Sequence, residues 1–140
     1  MENIECMKKN ILFIALLALA ACSSPNLEFS PAKQKVEGLI KDIDNAKFKE
    51  VSDYYTEQFL NSETFEARTA KFKQFNEIYG KVVQIHLIDS SKTEKKGGEN
   101  SLILTYRIKH ERLSTVEVFN VVKDGGDYKI AGQSIKATEN

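Results

Sequence analysis

Residues 65–88 read FEARTAKFKQFNEIYGKVVQIHLI, and the change of rhythm inside this stretch decides the fold. Phe65, Phe72, Phe75, Ile78 and Tyr79 recur at helical spacing and are expected to face inward, with Gly80 closing the helix. From Lys81 the period falls to two, and Val83, Ile85 and Leu87 alternate with Gln84, His86 and Ile88. A helix therefore hands over directly to a strand.

Toward the C-terminus the strand signals continue. Residues 89–100 (DSSKTEKKGGEN) read as a polar, glycine-containing loop. Residues 101–110 follow as a strand with Leu102, Leu104, Tyr106 and Ile108 on one face. Residues 113–123 form a valine-rich strand and 128–136 the last one, joined by the turn Asp124-Gly125-Gly126-Asp127, where glycine supplies positive φ. Toward the N-terminus, Ser30 can cap a helix that has Pro31 in its first position. Val36, Leu39, Ile40 and Ile43 give it one apolar stripe, and Asp44-Asn45 breaks it. A second short helix has Phe48, Val51, Tyr55 and Phe59 on one side, and Asn61-Ser62 caps the third. Three helices are thus followed by four strands whose connections are too short for a crossover helix. The sheet is expected to be antiparallel with helices on one face, an α+β architecture.

The first residues carry a different signal. Lys8 and Lys9 precede an unbroken apolar run of eleven residues, Ile11 to Ala21, and then Cys22. As a helix this run spans about 16 Å, roughly half a bilayer core, which fits an export signal better than a membrane span. Leu19-Ala20-Ala21-Cys22 resembles the lipobox of bacterial lipoproteins. That resemblance implies cleavage before Cys22 and lipid on its thiol, with Ser23 favouring the outer membrane, facing the periplasm. Met7 is the expected true start, which would leave Cys6 outside the protein. The expected organisation is a signal peptide over 1–21, a lipidated tether over 22–30 and one domain over 31–138.

Composition narrows the functions. The chain has 20 basic and 20 acidic residues, and loss of residues 1–21 leaves 18 of each, so the domain has no electrostatic footprint for nucleic acid. With Cys22 lipidated no free thiol remains, which removes disulfides, thiol catalysis and cysteine metal sites. The 119 residues from Cys22 onward can bury about 65% of their unfolded surface, enough for a core without staples.

A helical first half, an aromatic third helix ending at Tyr79-Gly80, Val116-Glu117-Val118 in the third strand, and Asp124-Gly125 followed by Tyr128-Lys129-Ile130-Ala131-Gly132 resemble the nuclear-transport-factor-2-like (cystatin-like) superfamily. The likeness is greatest to small exported bacterial proteins of unknown function with that fold. Tyr128 stands where these usually have tryptophan, and Gly126-Asp127 is extra. The resemblance implies a cone: a curved four-stranded sheet wrapped on helices, with an apolar pocket at its wide end. Some members are isomerases or dehydratases, and many are binding or dimerisation modules, so the fold leaves function open.

The chemistry-bearing residues are few. His86 could act as a base near neutral pH but is expected on the face away from the helices. His110 sits beside Glu111 and Arg112, at a strand end where turn chemistry is expected. Glu117 is either a pocket acid or, the favoured expectation, the cross-strand partner of Arg107 or Lys109. Asp42 and Asp44 flank a helix end, where solvation is expected. Tyr54, Tyr55, Phe59, Phe75, Tyr79, Tyr106 and Phe119 could line a pocket, though such stripes more often form plain core. No cofactor or metal motif is present. The leading expectation is a non-enzymatic binding or interaction module held at a membrane by lipid. It would bind a small apolar ligand or a protein partner, or form a homodimer through the sheet. The alternatives are a pocket isomerase or dehydratase and a structural subunit of an envelope complex.

Overall fold

In the computed structural model, residues 26–139 are described; the expected signal segment and Cys22 lie outside them. The order is α1 (Phe29–Asp44), α2 (Phe48–Val51), a 3-10 turn (Ser52–Tyr54), α3 (Glu57–Leu60), α4 (Phe65–Tyr79), then β1 (Val82–Thr93), β2 (Ser101–His110), β3 (Ser114–Asp124) and β4 (Asp127–Thr138). The strands form one antiparallel sheet in the order β1-β2-β3-β4. This is the α+β fold that the change of period implied.

Helix α1 lies in the hollow of the sheet. Ala32, Val36 and Leu39 are fully excluded from solvent, and Ile40 and Ile43 nearly so. The helix starts two residues earlier than Pro31 implied. Leu27 is buried, and the Glu28 N–H donates to the Tyr128 hydroxyl at 2.8 Å, which fixes how the chain enters the helix. Pro31 therefore sits within the first turn, where a missing N–H costs nothing. The span expected to be a tether over 22–30 thus loses Leu27 to the core and Phe29 and Ser30 to α1.

The expected second helix is broken in the middle. Tyr55 adopts an extended conformation and bridges Ile130 of β4 in parallel, with the Thr56 N–H donating to the Ile130 carbonyl. Pairing with the sheet overrides the helical period here. Thr56 caps α3, and Thr64, not Asn61-Ser62, caps α4 through the Ala67 N–H. Gly80 ends α4 at φ 78°, a conformation that favours glycine, and a Cβ there would lie 2.7 Å from Glu111 Oε2 and push that carboxylate aside. On α4, Arg68 is buried and Phe72 and Phe75 are half-buried. Phe65 and Ile78, expected inward, are 43% and 48% exposed. Ile78 points about 100° away from the arc that faces the sheet, and Phe65 lines an open groove beside Phe48.

Strand β1 runs on to Thr93 through residues expected to be loop, because Ser90 to Thr93 pair with Leu104 to Ser101 of β2. Irregularities at Val83 and Ile88 each shift its register by one residue. The first places Val82 inside and leaves Val83, expected to face the helices, 60% exposed, while Ile85 and Leu87 pack against the core as expected. Leu102, Leu104, Tyr106 and Ile108 of β2 are all buried as their alternation required. The β3–β4 turn has positive φ at both Gly125 and Gly126, a two-residue hairpin open essentially to glycine and asparagine.

Candidate functional site

At the wide end of the cone, β2, β3 and β4 turn four polar side chains toward the helices. Thr115 and Glu117 are buried on β3, half-buried Gln133 lies on β4, and buried His110 ends β2. The Tyr55 hydroxyl donates to Gln133 Oε1 at 2.6 Å. The Gln133 side chain hydrogen-bonds Glu117 in turn, and Thr115 Oγ1 lies 3.1 Å from Glu117 Oε1. His110 Nε2 is 3.4 Å from Thr115 Oγ1, and its Nδ1 is 3.4 Å from the Gly80 carbonyl. The result is a continuous polar chain from Tyr55 to Gly80 through the core.

Burial pushes the Glu117 carboxyl from its ordinary 4.5 up to about 7, against hydrogen bonds from Thr115 and Gln133 that favour the charged form. Burial also lowers the His110 pKa, which favours neutral imidazole, and raises that of Tyr55. The donors can be counted. With Glu117 ionised, Thr115 donates to it and His110 Nε2–H donates to Thr115, which leaves Nδ1 without a proton against a carbonyl. With Glu117 protonated, the order reverses and ends with His110 Nδ1–H on the Gly80 carbonyl, so every group is satisfied. One proton on Glu117 therefore sets the direction of the chain from Glu117 through Thr115 to His110, while Tyr55 and Gln133 donate toward Glu117 in both states.

The space beside this chain is small. A cavity of about 20 Å³ lies between Ile40, Phe72, Phe75, His110 and Glu117, room for about one water. Outside it, and sharing Phe72, Phe75, Gln133 and Ile135, is a cleft of about 260 Å³ between α4 and β4. Phe59 and the charged trio Glu63, Arg68 and Lys71 complete its wall. Arg68 is only 4% exposed. Its Nη2 donates to the Leu60 and Glu63 carbonyls at 2.9 and 3.1 Å, while its Nε has no hydrogen bond. The Glu63 carboxylate lies between Arg68 Nε, 3.8 Å away, and Lys71 Nζ, with which it pairs.

Several expected site residues fall elsewhere. His86 is exposed beside Gln84, Arg107 and Lys109 on the outer sheet face. Glu117 does not pair with Arg107 or Lys109, because the register sets it opposite Tyr106 on the inner face while both cations point outward. His110 is inside the cone instead of in turn chemistry. Asp44 is not merely solvated: its carboxylate accepts the Val82 N–H at 2.9 Å and ties α1 to β1. Asp42 accepts from the Tyr54 hydroxyl at 2.6 Å in a separate groove, and burial with this bond pushes Tyr54 up to about 12. Of the seven aromatics, Phe75 and Phe59 line the cleft. Tyr55, Tyr106 and Phe119 are core, and Tyr79 stacks on Phe75 against His110. Arg68, Phe72, Gln133 and Ile135 were not foreseen at the site. Among the described residues, no group of three or more His, Cys, Asp or Glu side chains is placed to hold a metal, and no helix is long and apolar enough to cross a membrane.

No family model matches the chain, and no curated protein matches it in sequence. Solved structures do resemble it. A candidate scytalone dehydratase from Novosphingobium aromaticivorans superposes with a TM-score of 0.52 at 11% identity, over 77% of this chain and 82% of that one. Bd1075 of Bdellovibrio bacteriovorus gives a TM-score of 0.51 at 15% identity over 76% of this chain. This chain spans 39% of the length of Bd1075. The domain has the nuclear-transport-factor-2-like α+β cone fold. At these identities the likeness extends to the fold alone.

Proposed function

We propose that this protein is a membrane-anchored binding module of the bacterial envelope, held by lipid on Cys22 at the outer membrane and facing the periplasm, and that it takes a small apolar ligand in the cleft between α4 and β4. The observation that carries the reading is the contrast in volume. The cleft of about 260 Å³ has aromatic walls, while the space at the buried carboxyl is about 20 Å³. A ligand can lodge against Phe72, Phe75 and Ile135, but its carbon skeleton cannot reach Glu117. Leu27 docks at the β3–β4 end of α1, and the 16 residues of α1 carry the chain about 24 Å to the cleft end. The chain has no tryptophan, so Phe75→Trp places a single indole in the shared wall. Its emission is expected to shift on titration with small apolar ligands, and an indole silent to all of them sinks the binding reading. Cys22→Ser is expected to release the protein from membranes, and continued membrane attachment would overturn the anchor.

One observation favours a second reading, an isomerase or dehydratase with Glu117 as acid or base: a carboxyl that titrates near pH 7 inside the cone. Glu117→Gln separates the two. Loss of a cellular phenotype with the fold and ligand binding retained selects the enzyme, and an intact phenotype removes it.

A further inference from the structure

The charged trio at the cleft indicates the class of ligand, and the inference rests on the binding reading above. Arg68 is a buried guanidinium on the same arc of α4 as Phe72 and Phe75. Two backbone carbonyls take its Nη2, and its Nε–H faces no acceptor within hydrogen-bond reach. A buried donor left unmade is costly, and a guanidinium is built to meet a carboxylate. The nearest carboxylate, Glu63, stops 3.8 Å short while it also pairs with Lys71, whose side chain is 70% exposed. Glu63 thus stands where an anion would sit, without completing the contact. Two cations against one anion leave the polar end of the cleft with a net positive charge, next to an aromatic and aliphatic wall.

We propose that the cleft receives a small amphipathic carboxylate, its carboxylate held by Arg68 and Lys71 in place of Glu63 and its apolar body lying along Phe72, Phe75 and Ile135. The ligand's oxygen completes the Arg68 Nε bond as the Glu63 side chain swings toward solvent. Glu63 is then an internal competitor, and its removal strengthens binding instead of weakening it.

Calorimetric titration of the full-length protein at pH 8 with 4-phenylbutyrate and with 4-phenylbutanol tests this, since the two share a body and differ in the charged end. The acid is expected to bind at least about tenfold tighter than the alcohol. Glu63→Gln is expected to raise acid affinity by roughly threefold or more and leave the alcohol unchanged, and Lys71→Met to lower acid affinity only. Both positions can be changed without disturbing Arg68's bonds to backbone carbonyls. Equal affinity for acid and alcohol overturns the carboxylate proposal and leaves the apolar cleft standing. If Glu63→Gln weakens acid binding, the competitor role is overturned. Binding of neither compound, together with a silent Phe75→Trp indole, overturns the binding reading itself.

Discussion

Helices α1 and α4 are nearly the same length, 16 and 15 residues, and both carry a stripe of large apolar side chains, yet the sheet treats them differently. Five residues of α1 are buried, all apolar, whereas the one buried residue of α4 is an arginine. The stripe of α1 is aliphatic and close-fitting, so it fills the hollow of the sheet. The stripe of α4 is aromatic and interrupted by Arg68, so it stands off from β4 and leaves a cleft. The core end of the cone is made by completing packing, and the candidate site by stopping short of it.

The comparison breaks most easily at its strongest side. Leu39 on α1 is fully buried, so Leu39→Ala is expected to cost about 3–4 kcal/mol in transfer energy and cavity. Urea denaturation of both proteins checks this, and a loss below about 1 kcal/mol would mean that α1 is not the packed helix.

The next effect sharpens the chemical side of the contrast. The folded state holds the Glu117 proton up to about pH 7, whereas an unfolded glutamate releases it near 4.5. The native state is therefore favoured fully below pH 4.5, and this stabilisation disappears as pH rises through 7. A carboxyl raised from 4.5 to about 7 corresponds to about 3 kcal/mol. Glu117→Gln, neutral at all pH, is expected to be more stable than the native protein at pH 8 by up to that amount, with the gap closing toward pH 4.5. His110 acts in the opposite sense, because its lowered pKa costs stability as pH falls. Denaturation midpoints of the two proteins from pH 4.5 to 8 measure the difference, and a gap independent of pH would show that Glu117 is not the buried acid.

The same contrast explains what could be read in advance. Strand β2 alternates without a bulge, so Leu102, Leu104, Tyr106 and Ile108 were legible, and the even count continues to His110, which is indeed inside. The adjacent Glu111-Arg112 obscured that signal by suggesting a turn. In β1 the bulge at Val83 turns Val82 inward and Val83 outward while Ile85 and Leu87 keep their expected face, and no residue there marks it. Glu117 could not be placed because its face depends on the β2–β3 register, which the short turn sets and the composition does not. Tyr55 left the helical period for a bridge to β4, a choice made by a strand 75 residues away. Arg68 did leave a trace, a lone charge within an aromatic arc, and that arc carries the site.

Smaller effects probe the loose side. Phe72 is half-buried and stacks at 6.5 Å on Phe48, so Phe72→Ala is expected to cost about 1–2 kcal/mol, well under the cost of Leu39→Ala. Ile78 on the same helix is 48% exposed and off the arc that faces the sheet. Ile78→Ser should change stability by less than about 0.5 kcal/mol and leave ligand binding unaltered. A larger loss would mean that this outward face of α4 is covered in solution. The helix would then be packed on both sides, and the cleft could no longer be attributed to an α4 that packs less tightly than α1.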